Sequence, residues 1–569
     1  MRTASKTRPH VILIITDDQG YGDLACHGNP LIRTPNMDRL HGESVRLTNC
    51  HVGPTCAPTR AALLTGRYCN SAGVWHTIMG RSLLRDNEIT LADVFLENGY
   101  STGFFGKWHL GDNYPFRPED RGFQEVVRHG GGGVTQAPDI WGNNYFDDAY
   151  YHNGKPQRYE GYCTDVWFDN AIRFIQQNKN RPFFCYLATN APHSPFNVSR
   201  QYSRLYDEND AVPNANFYGM ITNIDDNIAR LEKALQQLDL RDDTIFIFMT
   251  DNGTAAGFRN GQGFNAGMRG TKGSEYDGGH RVPFFIRWPN GNLQGGRDIE
   301  RLTAHIDVMP TLIDLCGLRP PADAVFDGAS LKALLSQSGL DWPNRVLVTD
   351  SQRVDHPVKW RKSAVMTDRW RLVNRDELYD MTSDPGQKND AAAQHPDVVA
   401  WLREEYEKWW ERVSKDFDDY CEIIIGSDHE NPTCIVSHDW HGESVPWNQQ
   451  QIRSGMTGNG FWAVEIARDG KYEFQLRRWP IEEDMPINSS IPASSPVPGG
   501  FQYPAGKEIR VTQARLKIAD LDITIPVKRY DKAAIFIMEL KAGKTFLQTW
   551  FSDDENQSRG AYYVYAKRL

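Results

Sequence analysis

Long hydrophobic runs are absent from this sequence. None of its apolar runs approaches the roughly 18 residues that a membrane-spanning helix needs. The run at residues 11–15 is also too short for the hydrophobic part of a signal peptide. We therefore expect no membrane partner and a cytoplasmic location, or a periplasmic or secreted one if a leader was removed before this numbering begins.

A net positive charge and a C-x-x-C pair are also absent. The chain has 63 Lys and Arg against 73 Asp and Glu, a formal net charge of −10, so nucleic acid is not an expected partner. The nine cysteines are odd in number and include no C-x-x-C pair, which argues against a zinc knuckle and a complete disulfide framework. What is present, 40% hydrophobic and 24% charged residues, is typical of a globular protein with a large core.

Three short apolar runs, at residues 11–15, 183–187 and 244–249, are hydrophobic on both faces and are followed by polar residues. Runs of this kind are typical of central parallel strands. Segment 216–238 carries apolar residues at three- and four-residue spacing, as an amphipathic helix does. This alternation predicts an α/β fold with a doubly wound, mostly parallel sheet that is flanked by helices and binds ligands beyond its strand ends.

Changes in the sequence pattern along the chain predict three structural units. A large α/β domain is expected over residues 1–335, and a smaller C-terminal subdomain of the same fold over residues 336–420. From residue 421 the sequence changes to alternating strands separated by turns, as at residues 462–476. We interpret residues 421–569 as an appended β-sandwich.

Polar pairs follow two of the predicted strands. Asp17 and Asp18 end the first strand, and Asp251 with Asn252 ends the third. Because parallel strands end at one edge of a sheet, these four oxygen ligands are expected to converge. Hard oxygen donors suit Ca²⁺ or Mg²⁺, and such an ion would relieve the repulsion between the acids. Taken alone, either pair can also be interpreted as a helix cap.

Residues 56–67 read C-A-P-T-R-A-A-L-L-T-G-R. This stretch resembles the signature C-x-P-x-R-x-x-x-L-T-G-R of the type I sulfatases, the formylglycine-dependent members of the alkaline phosphatase superfamily. A lone cysteine is usually a small buried hydrophobe, but that interpretation does not explain Pro58, Arg60 and the L-T-G run together.

The resemblance extends through most of the first 420 residues. One departure from the family pattern is conservative: Asp277 stands where the family commonly has Glu. The further segments that match family motifs are 34–40, 105–111, 191–195, 249–253, 277–283, 305–311, 378–380 and 384–385.

The resemblance implies that a formylglycine-generating enzyme oxidises Cys56 to formylglycine. The hydrated aldehyde would supply two geminal hydroxyls, of which one attacks sulfur and the other expels sulfate as the aldehyde reforms. The implied metal ligands are Asp17, Asp18, Asp251, Asn252 and the formylglycine made from Cys56. The implied metal is Ca²⁺, with Mg²⁺ as the alternative.

The resemblance also assigns roles to five other residues. Lys107 and Lys272 would stabilise the charge of the sulfate. His193, with Lys272, would assist departure of the leaving group, and His109 would take the proton of the second hydroxyl during sulfate release. Arg60 would hold the formylglycine hydroxyl and the anion.

Three residues outside the motifs are candidates for substrate contact. His76 and Arg81 follow the signature closely, and His129 precedes four glycines that we expect to form a flexible polar rim. In the third unit, aromatic residues beside cations at 439–442 and 477–480 suggest stacking on a sugar, with packing as the competing interpretation.

These patterns favour hydrolysis of O-sulfate monoesters, of a carbohydrate rather than of a small aryl alcohol. Two alternatives stay open: a phosphonate or phosphate monoester hydrolase of the same superfamily, and a non-catalytic sulfated-glycan-binding protein with an unmodified Cys56. The presence of Lys107, His109, His193 and Lys272 argues against the second, because a pure binder needs cations but no acid and base groups. The expected partners are a sulfated small molecule or glycan and the formylglycine-generating enzyme.

Overall fold

A ten-stranded mixed sheet is the largest element of the computed structural model, which describes residues 8–336, 342–555 and 557–569. The first seven residues of the predicted first unit therefore lie outside the described residues. From one edge to the other, the strands are Asp298–Ile299, Val45–Leu47, Phe284–Arg287, Thr244–Thr250, His10–Thr16, Phe183–Ala188, Ser101–Gly106, Glu125–Arg128, Ala149–His152 and Lys155–Arg158.

The three strands predicted from apolar runs lie side by side at the centre of this sheet. His10–Thr16 pairs in parallel with Thr244–Thr250 on one side and with Phe183–Ala188 on the other. All three are buried along their whole length. Continuous apolar sequence is needed here because both faces of the sheet are covered.

Helices cover both faces, so the predicted α/β fold is confirmed. The odd-numbered residues from Val11 to Ile15 belong to one hydrophobic core and the even-numbered residues to another. The predicted helix at 216–238 is present as Ala215–Gln237. The helices of the first face are Cys56–Thr65, Leu91–Glu97 and Val308–Cys316, and those of the second are Pro35–Glu43, Cys163–Asn178 and Ala215–Gln237.

A second, four-stranded antiparallel sheet follows the first. Its strands are Leu347–Asp350, Ser363–Met366, Trp370–Val373 and Glu377–Asp380. Helix Pro396–Val413 packs on it through Leu402, Tyr406 and Trp409. The same core includes Trp75 from the first 335 residues, so the two regions share one packed interior.

Two facing sheets form the C-terminal region. One contains Ile423–Ile425, Phe461–Ile466, Gly543–Ser552, Gln513–Ile518 and Leu521–Pro526, with Ser558–Arg559 paired to Gly543–Ser552, and the other contains Thr433–Val436, Tyr563–Arg568, Gly470–Arg477 and Ala534–Leu540. Burial alternates along Ala534–Leu540, as expected for a strand with one face on the core. The core between the sheets also takes in Phe116 and Trp141 of the first region.

Short elements complete the described chain. None of the helices within the described ranges is both long and apolar enough to cross a membrane. The remaining helices and strands are Ala25–His27, Cys50–His51, Pro118–Asp120, Arg200–Ser203, Phe258–Arg259, Gln262–Gly263, Asp277–His280, Arg281–Val282, Pro289–Gly291, Thr303–Ala304, His305–Asp307, Lys332–Leu335, Ser437–Asp439 and Gln449–Ser454.

Candidate active site

The acidic pairs meet because their strands are neighbours. His10–Thr16 and Thr244–Thr250 run parallel and stay in register to their last residues, so the residues that follow leave the sheet at one edge. The backbone N–H of Asp18 donates to Asp251 Oδ1 at 3.0 Å, and Asn252 Nδ2 donates to Asp18 Oδ1 at 3.0 Å. All of these side chains are buried, which makes their charge costly unless it is compensated.

The chemistry of this cluster fits a hard divalent cation. Asp17 Oδ1 and Asn252 Oδ1 are buried and accept no hydrogen bond from any described residue. One ligand atom each of Asp17, Cys56 and Asp251 lies within 4.8 Å of the others. Burial and the nearby charge of Asp17 raise the pKa of Asp251 to about 7. A divalent ion would satisfy the free oxygens and remove this repulsion.

Residue 56 is fixed at the start of a buried helix. Cys56 is the first residue of helix Cys56–Thr65, after Thr55 in an extended conformation. Gly66 ends the helix with a φ of 67°, and every residue between is buried. The N-terminal end of a helix carries partial positive charge and free N–H groups, so residue 56 lies where an anion is favoured.

Arg60 lies one turn further along the same helix and is fully buried. Its Nη2 and Nε donate to Asp251 Oδ2 at 2.8 and 3.2 Å, and its Nη1 donates to the Lys107 carbonyl at 2.9 Å. Both bonds to Asp251 are charge-assisted and reach the same oxygen, Oδ2, while Oδ1 accepts from the Asp18 backbone N–H. The guanidinium therefore holds Asp251 in place.

Two lysines pair with the remaining carboxylates. Lys107 Nζ donates to Asp17 Oδ2 at 2.6 Å, and Lys272 Nζ lies 2.5 Å from Asp18 Oδ1. Burial would raise the pKa of Asp18, but Lys272, His193 and Lys107 outweigh it and hold the pKa well below its usual range. Asp18 is therefore charged in this arrangement.

His109 has one ring nitrogen bonded and one free. Its Nε2 lies 2.9 Å from the Thr77 carbonyl, which can only accept, so Nε2 carries the proton. Its Nδ1 is buried and has no hydrogen-bond partner among the described residues. Burial and the charge of Lys107 hold the pKa of His109 well below its usual range. The neutral ring thus presents a lone pair at Nδ1, as a base requires.

His193 is arranged the other way round. Its Nδ1 donates to the Ser194 carbonyl at 2.7 Å, which leaves Nε2 at 3.9 Å from Asp18 Oδ2. Burial and the charge of Lys272 lower the pKa of His193 to about 3. Nε2 is therefore the atom through which this ring can exchange a proton.

The four-glycine segment packs against both histidines. A Cβ on Gly132 would lie 2.1 Å from His109 Cε1, and one on Gly133 would lie 3.2 Å from His193 Nδ1. The segment is buried. The expectation of a flexible rim is therefore wrong, because the histidine rings occupy the space that side chains at these positions would need.

Several of these side chains line one pocket of about 320 Å³. Four of the predicted catalytic residues line it, together with one predicted substrate contact and five residues that the motifs did not indicate. The lining residues are Cys56, His76, Thr77, Ile78, His109, Gln136, His193, Lys272, Arg353 and Trp447.

The first 320 residues match a known family. The family model described as Sulfatase matches residues 9–318, more than half of the chain. The chain belongs to the sulfatase family. A second model, described as N-sulphoglucosamine sulphohydrolase, C-terminal, matches residues 271–411 of this sulfatase. Membership implies a formylglycine and a divalent metal ion.

Curated relatives of this sulfatase match it over part of their length. N-acetylgalactosamine-6-sulfatase of Canis lupus familiaris is 33% identical over 352 residues, which are 57% of this chain and 65% of the relative. Arylsulfatase A of Homo sapiens is 30% identical over 361 residues, 58% of this chain and 68% of the relative. The matched part is less than two thirds of the N-acetylgalactosamine-6-sulfatase.

Solved structures share the fold. The crystal structure of Ps i-CgsB in complex with k-i-k-neocarrahexaose has a TM-score of 0.65 and 26% identity, and the match covers 73% of this sulfatase and 95% of that chain. Phosphonate monoester hydrolase of Agrobacterium radiobacter has a TM-score of 0.52 and 21% identity, covering 72% and 97%, which shows a common fold alone.

Two candidate substrate contacts lie away from the pocket of this sulfatase. Arg81 Nε donates to Asp355 Oδ1 at 3.0 Å, and its guanidinium lies over Trp75 and Tyr420. His129 is buried, with its Nδ1 bonded to the Gly130 carbonyl at 2.8 Å. Both side chains are occupied by contacts within the protein, whereas His76 lines the pocket.

Arg60 and Lys107 are also absent from the lining, because their cationic groups are bonded to the acidic cluster. The aromatic residues suggested for sugar stacking pack instead: Trp440 and Trp479 are at most 1% exposed. Of the five lining residues that the motifs did not indicate, Gln136, Arg353 and Trp447 also lie far from the signature in sequence. No signal in the sequence indicated them, because only the tertiary fold brings their segments to the site.

Proposed function

We propose that this sulfatase hydrolyses O-sulfate monoesters of carbohydrates, using a formylglycine made from Cys56 and a bound Ca²⁺ ion. One observation carries the proposal. The residue that the signature marks for conversion shares a pocket with His109, His193 and Lys272, and its sulfur lies within 4.8 Å of the ligand atoms of Asp17 and Asp251.

Two groups complete the chemistry. When present, the hydrated aldehyde supplies two geminal hydroxyls, a nucleophile and a group that expels sulfate, while the divalent ion supplies positive charge. Asp17, Asp18, Asp251 and Asn252 would hold the ion. Carboxylate and amide oxygens suit Ca²⁺ with its flexible geometry, and Mg²⁺, which demands a near-ideal octahedron, is the alternative.

The chain's own residues bind charge and handle protons. Lys272 lines the pocket and binds the sulfate oxygens, where charge must be stabilised. His109 accepts a proton at its free Nδ1 during sulfate release. Arg60 and Lys107 orient Asp251 and Asp17 through their buried ion pairs.

His193 acts on the leaving group. Its Nε2 is the ring nitrogen without a hydrogen bond to the backbone and lies on the Asp18 side of the pocket. A sulfate anion bound nearby would raise the pKa of His193 from about 3, because an opposite charge favours the protonated ring. The protonated Nε2 then donates to the departing alcohol oxygen.

Conversion of Cys56 requires a formylglycine-generating enzyme as a second partner. The cytoplasmic location stays a prediction, with the periplasm or secretion as the alternative if a leader precedes this sequence. Peptide mass spectrometry on the protein isolated from its host would test the conversion directly.

The reaction class is tested with a panel of esters. Protein co-expressed with a formylglycine-generating enzyme is incubated with sulfated saccharides, nitrophenyl sulfate, nitrophenyl phosphate and a phenyl phosphonate ester. We expect release of inorganic sulfate from saccharides and none by Cys56→Ala. Turnover of phosphate or phosphonate esters in place of sulfates would support the alternative, a phosphonate or phosphate monoester hydrolase. If the converted protein binds sulfated glycans but does not hydrolyse them, the result would support a non-catalytic sulfated-glycan-binding protein.

The metal is tested by removing one carboxylate. Asp18→Ala deletes a ligand and leaves Lys272 without its carboxylate partner, so we expect loss of both Ca²⁺ and activity. Asp350→Asn removes a buried carboxylate outside the cluster and serves as the control. Elemental analysis that finds a full equivalent of calcium in Asp18→Ala would overturn the assignment.

A further inference from the structure

Trp447 reaches the pocket from the C-terminal region. It lies between strand Thr433–Val436 and helix Gln449–Ser454, more than 300 residues after the signature. Its carbonyl accepts from the backbone N–H of Ala137 at 2.9 Å, and its own N–H donates to Gln451 Oε1 at 2.8 Å. The backbone of Trp447 is therefore fixed on both sides.

The segment that holds Trp447 is the one that packs against the histidines. Gln136 Oε1 accepts from the Gly132 N–H at 2.8 Å, and Gly132 lies against the ring of His109. Gln449 reinforces the junction, since its backbone N–H donates to the Thr135 carbonyl at 3.0 Å. The position of Trp447 relative to the reacting residues is thus set by direct hydrogen bonds. Its side chain is only partly buried, so part of its ring surface remains available to a ligand.

Arg353 supplies a charge to the same pocket. It is exposed and lies in the loop after strand Leu347–Asp350, with a φ of 42° that L residues rarely adopt. No described residue forms a hydrogen bond or an ion pair with its guanidinium. By contrast, Arg60, Arg81 and Arg371 all pair with carboxylates.

The lining of the pocket is cationic although the chain is acidic. Lys272 and Arg353 line it, and no Asp or Glu is found among its described lining residues. Lys272 is already paired with Asp18. The positive charge of Arg353 is therefore not paired with any described residue, and an anionic group of the substrate can pair with it.

We propose that Trp447 and Arg353 form a saccharide subsite beside the scissile sulfate, in which the indole stacks on a sugar ring and the guanidinium binds a second anionic group. That group is a second sulfate ester or a uronate carboxylate, since a guanidinium forms paired hydrogen bonds with either anion. The subsite rests on the proposed function, for which it specifies a substrate with at least two negative charges.

Binding to an inactive protein tests the subsite apart from catalysis. In the Cys56→Ala background, calorimetry compares a monosulfated disaccharide with the same disaccharide carrying a second sulfate, and with one carrying a uronate carboxylate. We expect one of the doubly charged ligands to bind roughly tenfold to hundredfold more tightly, and the tighter one identifies the second anion. If neither gains over the monosulfated ligand, the subsite is refuted, whatever the hydrolysis assay shows.

Substitutions separate the two residues. Arg353→Gln should remove the preference for the doubly charged ligand, and Arg353→Lys should keep part of it. Trp447→Ala should weaken binding of all three saccharides about tenfold, and Trp447→Phe should weaken it less. Arg319→Gln and Trp401→Ala change an exposed arginine and a 44% exposed tryptophan outside the pocket and should bind like the parent. An undiminished preference in Arg353→Gln would overturn the proposal.

Discussion

At the scale of single residues, the site depends on contacts that few side chains can make. Asp277 illustrates this at the position where the family commonly has Glu. Its Oδ1 accepts from Arg371 Nε at 3.0 Å, and both side chains are 1% exposed. Arg371 reaches the shorter carboxylate from strand Trp370–Val373, so the departure alters an internal ion pair and not the pocket lining.

Gly132→Ala should damage catalysis while preserving the fold. The added Cβ would overlap the ring of His109 at 2.1 Å, so the ring must leave its present position in the pocket. We expect kcat to fall about a hundredfold, because small displacements of catalytic groups have effects of that size. Gly42→Ala is the control, since nothing lies within 4 Å of its added Cβ and it sits in a helix. Equal kcat values for the two variants would show that Gly132 is not needed to position His109.

His193→Ala and His109→Ala should differ in kind. Without His193, we expect kcat to fall by about 10² to 10⁴ on sugar sulfates, whose alcohols are poor leaving groups, and much less on nitrophenyl sulfate. Without His109, we expect a burst of one alcohol per site followed by slow turnover, because release of sulfate is impaired. Rapid mixing with both substrates measures this. The same leaving-group dependence in both variants, with no burst, would refute the division of roles.

The candidate catalytic residues could be predicted from the sequence, whereas the residues that surround them in the pocket could not. Cys56, His109, His193 and Lys272 lie in motifs, and all four line one pocket. The sequence did not indicate that position 132 must be glycine. The side chain that would clash there belongs to His109, which is distant in sequence. Gln136, Arg353 and Trp447 lie in segments without periodicity or motif, so only the packing of the regions brings them to the site.

At the scale of secondary-structure elements, hydrophobic patterns predicted the central strands to within one residue at each end. They succeeded because both faces of those strands are covered. Edge strands such as Lys155–Arg158 were missed, since all four of its residues are exposed and carry no apolar pattern. Strand Leu347–Asp350 ends in a buried carboxylate, Asp350, that no sequence pattern predicts. This carboxylate should make the stability of the protein depend on pH.

Asp350→Asn should stabilise the protein more at pH 8 than at pH 5. Burial raises the pKa of Asp350 to about 6, against about 3.9 in an unfolded chain. The folded state therefore favours the protonated acid, and its stability is complete below pH 4 and declines as the pH rises through 6. The difference between pH 5 and pH 8 corresponds to about 1 kcal/mol.

Melting temperatures of the two proteins at both pH values measure this effect. Asn keeps the size of the side chain, and an amide oxygen in the place of Asp350 Oδ2 can still accept from both Asn70 and Gln352. The advantage of the variant should grow between pH 5 and pH 8. A constant difference would mean that Asp350 does not titrate in this range.

At the scale of the whole molecule, the C-terminal region is part of the active-site structure. Its core takes in Phe116 and Trp141 of the first region, and it supplies Trp447 to the pocket lining. Asp355 bridges the regions, since it accepts from His441 Nδ1 at 2.8 Å and from Arg81 Nε at 3.0 Å. The sequence predicted an appended sandwich but not these contacts with the first region, because strand patterns report local structure and not how regions pack.

The central claim is that activity depends on conversion of Cys56 in this pocket. Preparations made with graded co-expression of a formylglycine-generating enzyme would contain different fractions of aldehyde at residue 56, measured by peptide mass spectrometry. The measurement is the rate of sulfate release from a sulfated saccharide per mole of protein, plotted against that fraction. The account predicts a straight line through the origin, and full activity in a preparation that holds only the thiol would contradict it.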